Sequence, residues 1–428
     1  GDILPAGRTI YGAESKGKFK ASLSNCFVAG TKVLTTGGIK NIEDVKIGDV
    51  VCNSKGTNVV NNVMSREYTG DLFKISAKSL YDDIVCTPNH QFLTSKGWLR
   101  ADRIYGKESE HSSVKLVSCT NVFRNQYDTV DLYDPSTNDE RNRTVANGDK
   151  LYHETNSNGN WSRYNSAYIN RYINITEDVS YFIGRWLGDG SITCRRGKRE
   201  HSILQIVFNA ARERGAAKRC IKIGTSIFGI EPSVRETNQN VIAVRWENPI
   251  IGEWFFKEFG KGCSGKRVPH KYDGDINIAI GLLDSDGMIN THGGVSITLK
   301  NLELITWLRD TLFMNGIRVN KVLPTTHDDT YMISIHPAVA KKYLLPKMSK
   351  SYYDGRNGLS LGHDMADFVM VETVEIIEEV KTKVYNLSVE TNHEYNVNGV
   401  ICHNCYILES PRDTIESVYD TNRDMARI

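Results

Sequence analysis

The chain has no apolar run of about 18 or more residues, so no membrane span is expected. Its opening, Gly1-Asp2-Ile3-Leu4-Pro5, lacks a basic stretch followed by an apolar one, so no signal peptide is expected either. A disulfide framework is missing too. The nine cysteines are odd in number and irregularly spaced, which points to a reducing, cytoplasmic setting. The sequons at Asn142 and Asn174 then mean nothing. Cys402-x-x-Cys405 has no second Cys-x-x-Cys to complete a zinc site and no βαβ pattern to make it a thioredoxin-like centre. What remains is ordinary for a globular protein: 40% apolar and 24% charged residues over 428 positions, enough for two or three domains.

A large net charge is also absent, at +2, but the balance is uneven. Residues 176–350 hold 25 Lys+Arg against 18 Asp+Glu, net +7, and the remainder 28 against 33, net −5. The middle of the chain is therefore suited to an anionic polymer. A solvated basic surface is the plainer alternative.

Near the C-terminus stands Val400-Ile401-Cys402-His403-Asn404-Cys405. Asn404 can attack its own backbone carbonyl, close a succinimide and cut the chain after itself. His403 can protonate the departing amine or polarise that carbonyl. Cys405 offers a nucleophile able to hold an acyl group. Far upstream, Asn25-Cys26 presents another thiol just after a junction. Between Cys26 and residue 104, β patterns dominate: Thr31 to Thr35 before a Thr36-Gly37-Gly38 turn, then Lys46 to Val51, Leu72 to Ile75 and Asp83 to Cys86. Residues 366–404 return to the same pattern. Two β-rich ends around a different middle suggest one domain split by an insertion.

These stretches resemble inteins and their Hint (hedgehog/intein) fold. The likeness rests on Cys26 to Val33, Thr87-x-x-His90, Val384 to Tyr395 and Asn398 to Asn404, in that order. It implies that Cys26 takes the acyl group of Asn25 by an N-to-S shift, with Thr87 and His90 holding and protonating the scissile amide. Cys405 would then attack the thioester, Asn404 would cyclise with help from His403 and His393, and Asn25 would end joined to Cys405. No cofactor is implied for splicing. One departure is Asn386, where the family usually has Asp. Asn cannot ionise, so slower or differently coordinated steps are expected.

The middle contains a near-repeat. Phe182 to Gly190 aligns with Ala279 to Gly287; both are short apolar helices ending in Asp-Gly. Small residues at i and i+4 (Gly184/Gly188, Gly281/Ser285) would let the two backbones approach and bring Asp189 and Asp286 together. Two converging carboxylates suit Mg²⁺ and phosphodiester hydrolysis. The stretches resemble the signature helices of LAGLIDADG homing endonucleases. That implies two pseudo-symmetric half-domains with curved sheets on double-stranded DNA, the target being the host gene without its insert. Asp189 and Asp286 would be the metal-facing residues. Lys266, in Lys266-Arg267-Val268-Pro269, would be a charge stabiliser, with Lys321 a guess at its counterpart. Leu187 departs from an acidic position that the second copy keeps as Asp284. Arg195, Arg196, Lys198 and Arg199, and the run from Arg212 to Lys222, are candidate phosphate contacts.

The expected architecture is thus multi-domain: an all-β Hint splicing domain interrupted by an α+β endonuclease. Its parts are a host fragment (1–25), the first splicing part (26–104), a linker or DNA-contact region (105–175), the endonuclease (176–350), the second splicing part (366–404) and a host fragment (405–428). Joined, the two host pieces resemble the large subunit of a ribonucleotide reductase around an active-site cysteine. A monomer without a membrane partner is expected, with its host segments in cis. The alternatives are a catalytically dead DNA-binding insert or maturase, a Hint domain that cleaves without ligating, and a redox protein using Cys402 and Cys405.

Overall fold

The computed structural model describes residues 25–104, 115–117, 128–163, 167–193, 203–237, 239–326, 329–349, 366–391 and 393–403. They fall into two compact units, divided at 121/122 and 366/367, the first drawing on both ends of the chain.

The first unit is a sheet of thirteen strands among the described residues. Its spine is an antiparallel ladder between Thr57–Ser76 and Thr373–Val389, running from Ser76 opposite Thr373 to Val60 opposite Val389. Leu72 to Ile75, read from sequence as a short strand, is the end of this 20-residue strand. Phe27–Val28 lies against the C-terminal spine strand, with Phe27 opposite Tyr385 and also opposite Cys86. Val400–His403 forms a hairpin with Glu394–Val397 and pairs Cys402 with Phe92. Asn398 and Gly399 both have positive φ (48° and 91°), as a tight two-residue hairpin turn requires. Fully buried Phe27, Phe92, Leu387, Tyr395 and Val397 join the N- and C-terminal parts in one core. Each such side chain contributes about 1.5–3 kcal/mol of burial.

The second unit is built twice from one pattern. Its first half runs α1 (Glu177–Asp189), strands Gly190–Thr193 and Ile203–Asn209, α2 (Arg214–Phe228), strands Ser233–Thr237 and Val241–Glu247, then α3 (Pro249–Phe259). Its second half runs α4 (Ile276–Asp286), strands Met288–Ile289 and Val295–Leu299, α5 (Leu302–Met314), strands Leu323–Pro324 and Tyr331–Ile335, then short helical turns from Pro337. Both sheets order their strands first, second, fourth, third. This duplicated α–β–β–α–β–β–α build gives the α+β pseudo-symmetry that the repeat implies.

Caps set where the two repeat helices begin: Thr176 Oγ1 accepts from Val179 N–H (3.3 Å), and Asp275 accepts from Asn277 N–H (2.9 Å). Their crossing is backbone on backbone. A Cβ on Gly184 would lie 2.1 Å from the Ile278 carbonyl oxygen, and one on Gly281 2.3 Å from that of Tyr181. Of residues 105–175, read from sequence as a linker or DNA-contact region, Lys115–Val117 pairs in the first unit's sheet, and strands within 128–163 and 167–175 form two small sheets in the second. One pairs Thr129–Asp131 with Tyr172–Asn174; the other is built on Lys150–Ser157.

Candidate functional site

The upstream junction is held from several directions. Cys26 is fully buried, one residue before the strand that packs on the spine. Its N–H, the nitrogen of the Asn25–Cys26 bond, donates to Thr87 Oγ1 at 3.0 Å, and Thr87 N–H returns a bond to the Cys26 carbonyl at 3.0 Å. On the acyl side, Asn386 Nδ2 donates to the Asn25 carbonyl oxygen at 2.5 Å. Asn386 is fixed in turn: its Oδ1 accepts from Tyr395 Oη (2.6 Å) and Leu387 N–H (2.7 Å). Sequence reasoning marked Asn386 only as a departure and missed Tyr395. The one available signal was that both fall inside the Val384–Tyr395 motif.

His90 is fully buried, its ring 3.9 Å from that of Phe27 between centroids. Burial, then the nearby His403, push its pKa down to about 3, so the imidazole is neutral at physiological pH. Neither ring nitrogen has a hydrogen-bond partner among the described residues. Thr87 thus contacts the Cys26 nitrogen, and His90 is a neutral ring packed on Phe27 and Phe92.

At the downstream end, the His393 and His403 rings stack with centroids 6.1 Å apart, and Trp98 meets His403 edge-on at 5.2 Å. His393 takes a left-handed backbone (φ 52°), and its pKa is lowered by partial burial and by His403. Asn404 and Cys405 lie outside the described residues. Cys402 is buried, donates to the Tyr395 carbonyl (3.3 Å), and has its thiol pushed well up by burial, which suppresses the reactive thiolate.

In the second unit, Asp189 and Asp286 are the last residues of α1 and α4. Asp189 Oδ2 accepts from Ser285 Oγ at 2.6 Å and lies 3.5 Å from the Arg185 guanidinium. Asp286 Oδ2 lies 3.1 Å from where a Cβ on Gly188 would be, so both carboxylates flank the Gly188–Ser285 contact. Lys266 is buried and caps the end of α1: its Nζ donates to the carbonyls of Trp186, Leu187, Gly188 and Gly190 at 2.8–3.1 Å. Burial lowers its pKa to about 8, opposed by Asp286 and Asp189. Lys321 follows α5 and its short connection, on the way to Leu323–Pro324. Asp284 is buried and accepts from Tyr181 Oη (3.1 Å) and Ser349 N–H (2.8 Å), a structural use of the acid that Leu187 replaces in the first copy.

No group of three or more His, Cys, Asp or Glu among the described residues is arranged to hold a metal. Two carboxylates, one exposed and one partly so, still fit a hard cation that takes its other ligands from phosphate and water. Arg195, Arg196, Lys198 and Arg199 lie outside the described residues. In the Arg212–Lys222 run, Arg214 pairs with Glu236 and Arg219 with Asp178. Sequence reasoning did not single out Gln205, Arg235 and Arg245. By register they share one face of the first-half sheet, with Arg245 Nε on Gln205 Oε1 at 2.5 Å.

A family model described as the intein splicing domain matches residues 39–404. An uncharacterized protein of Methanocaldococcus jannaschii is 22% identical over 438 residues, covering 93% of this chain and 52% of that protein. A DNA polymerase of Thermococcus aggregans is 22% identical over 447 residues, 94% of this chain and 21% of the polymerase. A DNA polymerase of M. jannaschii is 40% identical over 80 residues, 18% of this chain and 4% of that protein. The chain thus spans about half the length of the first of these relatives and far less of the polymerases. Among solved structures, the gp41-1 intein is 24% identical, covering 22% of this chain and 68% of that one, with a TM-score of 0.19. The homing endonuclease I-DmoI in complex with DNA and Mn is 14% identical, covering 40% and 97%, with a TM-score of 0.32. Structural overlaps that shallow support no assignment; the family match spans most of the sequence. By that match, the chain belongs to the intein splicing-domain family.

Proposed function

We propose that this protein excises residues 26–404 and joins Asn25 to Cys405, and that its second unit cuts double-stranded DNA. The observation that carries the first part is the grip on the Asn25–Cys26 amide, with Thr87 Oγ1 on its nitrogen and Asn386 Nδ2 on its carbonyl oxygen. Cys26 Sγ adds to the Asn25 carbonyl carbon, and Thr87 holds the leaving nitrogen while it gains a proton. Cys405 Sγ takes the acyl group and frees the Cys26 thiol, Asn404 cyclises beside His403 and His393 and releases the Cys405 amine, and that amine displaces the thioester to leave the Asn25–Cys405 amide. His90, with Thr87, would hold and protonate the Asn25–Cys26 amide, acting as a neutral imidazole through its ring N–H.

In the second unit, Asp189 and Asp286 would hold Mg²⁺, which supplies Lewis-acid charge to a phosphodiester when bound. Lys266, as the ammonium, offsets charge on the phosphate, and Gln205, Arg235 and Arg245 face base edges or phosphates. Arg195, Arg196, Lys198 and Arg199 add phosphate contacts. The preferred DNA is the host gene without its insert. The host, from residues 1–25 and 405–428, is a ribonucleotide reductase large subunit, and the protein acts in the cytoplasm as a monomer. The boundaries 26–104, 176–350 and 366–404 are those proposed for the working parts.

Intact mass spectrometry of the freshly expressed chain, under reducing conditions and over time, tests splicing. A joined 49-residue product and a 379-residue fragment ending in a succinimide are expected. A chain that stays whole would sink the splicing reading. A second reading, a DNA-binding insert that no longer cuts, draws on Lys266 being committed to four carbonyls. DNA binding without Mg²⁺-dependent nicking would favour it.

A further inference from the structure

We propose that Asn386 is a catalytic residue of the first splicing step, the donor that stabilises negative charge on the Asn25 carbonyl oxygen, and that Tyr395 is its positioning residue. This rests on the splicing reading above.

The side chain of Asn386 is fully buried on Thr373–Val389, in register opposite Met64. Its amide orientation follows from chemistry. Leu387 N–H can only donate, so the atom facing it must be the carbonyl oxygen, and the NH₂ is left to face Asn25. Tyr395 Oη, on the neighbouring hairpin, donates to the same oxygen and locks that choice.

In the step itself, the Cys26 sulfur forms a bond to the Asn25 carbonyl carbon and the C=O electron pair moves onto oxygen. Collapse of the adduct breaks the C–N bond, and the proton released by the thiol ends on the Cys26 nitrogen. The products are a thioester and a free amine, with no oxidant or further reactant. Charge on the oxygen peaks in between, where a fixed N–H in a water-poor site has its largest effect. An ionised carboxylate at this position would set charge against charge. The Asn that departs from the family pattern therefore gives the position a donor where Asp would carry a proton.

The experiment uses the full chain with Asn404→Ala and Cys405→Ala, which stops the reaction after the first step, and excess dithiothreitol to trap the thioester. Release of residues 1–25 is followed by mass spectrometry across pH, with a thermal melt for each variant. Asn386→Ala is expected to slow release by about 10²–10³-fold, the usual cost of one oxyanion donor. For Asn386→Asp, release relative to the parent should approach it in acid, where a protonated carboxyl can donate. That ratio should fall about tenfold per pH unit once the carboxyl ionises. Tyr395→Phe should lose less, about tenfold, because Leu387 still holds the amide. A parent that releases nothing overturns the splicing reading and this inference together. A parent that cleaves while Asn386→Ala stays within about threefold of it overturns this inference alone. So does an Asp-to-parent ratio that is flat with pH, which also decides the matter if Asn386→Ala fails to fold.

Discussion

The two candidate sites solve opposite electrostatic problems. In the β unit, burial removes charge: His90 is pushed to about 3 and so is neutral, while the thiols of Cys86 and Cys402 and the phenol of Tyr395 are pushed up and stay protonated. The Asn25–Cys26 bond is held by neutral groups, Thr87 Oγ1 on its nitrogen and Asn386 Nδ2 on its carbonyl oxygen. In the inserted unit, ions gather: Asp189, Asp286, Arg185 and Lys266 lie around two helix ends. A peptide rearrangement passes through brief charge on a single oxygen, which fixed dipoles can serve. A phosphodiester brings permanent charge and calls for ions and a cation.

Variants that break one site and spare the chemistry of the other test that contrast most directly. Cys26→Ala should abolish ligated product completely, read by intact mass, because no other nucleophile occupies that place on the chain. Next in size, Asp286→Asn should reduce Mg²⁺-dependent plasmid nicking by at least about a hundredfold, beyond the 10–100-fold typical of an outer-shell partner. Chelation should remove the nicking altogether while ligation continues; retained nicking in Asp286→Asn would count against a metal at this crossing.

A smaller effect is expected for Gly184→Ala. Its Cβ would fall 2.1 Å from a backbone oxygen, so the cost should reach at least about 1–3 kcal/mol in urea unfolding of this unit. An unchanged midpoint would mean that the helices can separate freely.

The mildest test is a titration. With Lys266 lowered to about 8, nicking should decline as pH rises through that value and the ammonium is lost. Asp286→Asn removes a carboxylate that raises this pKa, so binding measured in that variant should lose its charge-dependent part at lower pH. The unfolded chain holds the same proton up to the ordinary value of 10.5, so stability should rise between about 8 and 10.5. His90, neutral above about 3, should add no inflection to splicing over that range.

Much of this was readable in the linear text where chemistry and spacing coincide. Thr87-x-x-His90 is short and local, and the fold brings Thr87 to the Cys26 nitrogen; Asn404 and Cys405 lie outside the described residues. The Gly184/Gly188 and Gly281/Ser285 spacing announced a close helix crossing, and the backbones do touch. What escaped depends on distant partners. Asn386 reaches an oxygen 361 positions earlier in the chain, so no window on the sequence shows it as a donor. Lys266 lies 76–80 positions from the carbonyls it caps. The sheets within 128–175 were hidden because Asn, Ser and Arg interrupt their alternation. Arg163 over Tyr152 and Tyr168, and Arg143 over Trp161, provide packing that apolar periodicity would not reveal.

The long ladder between Thr57–Ser76 and Thr373–Val389 also sets a clock. On the ribosome the earlier strand emerges roughly 300 residues before its partner, a delay of about 15–60 s at 5–20 residues per second. Phe27 rests on that partner, and Asn386 belongs to it, so Cys26 has no assembled site until translation has passed residue 389. A nascent chain that stalls in the insert has Thr87 but lacks the Asn386 donor to the Asn25 carbonyl. On the splicing proposal, the first bond exchange would wait for translation of that partner strand.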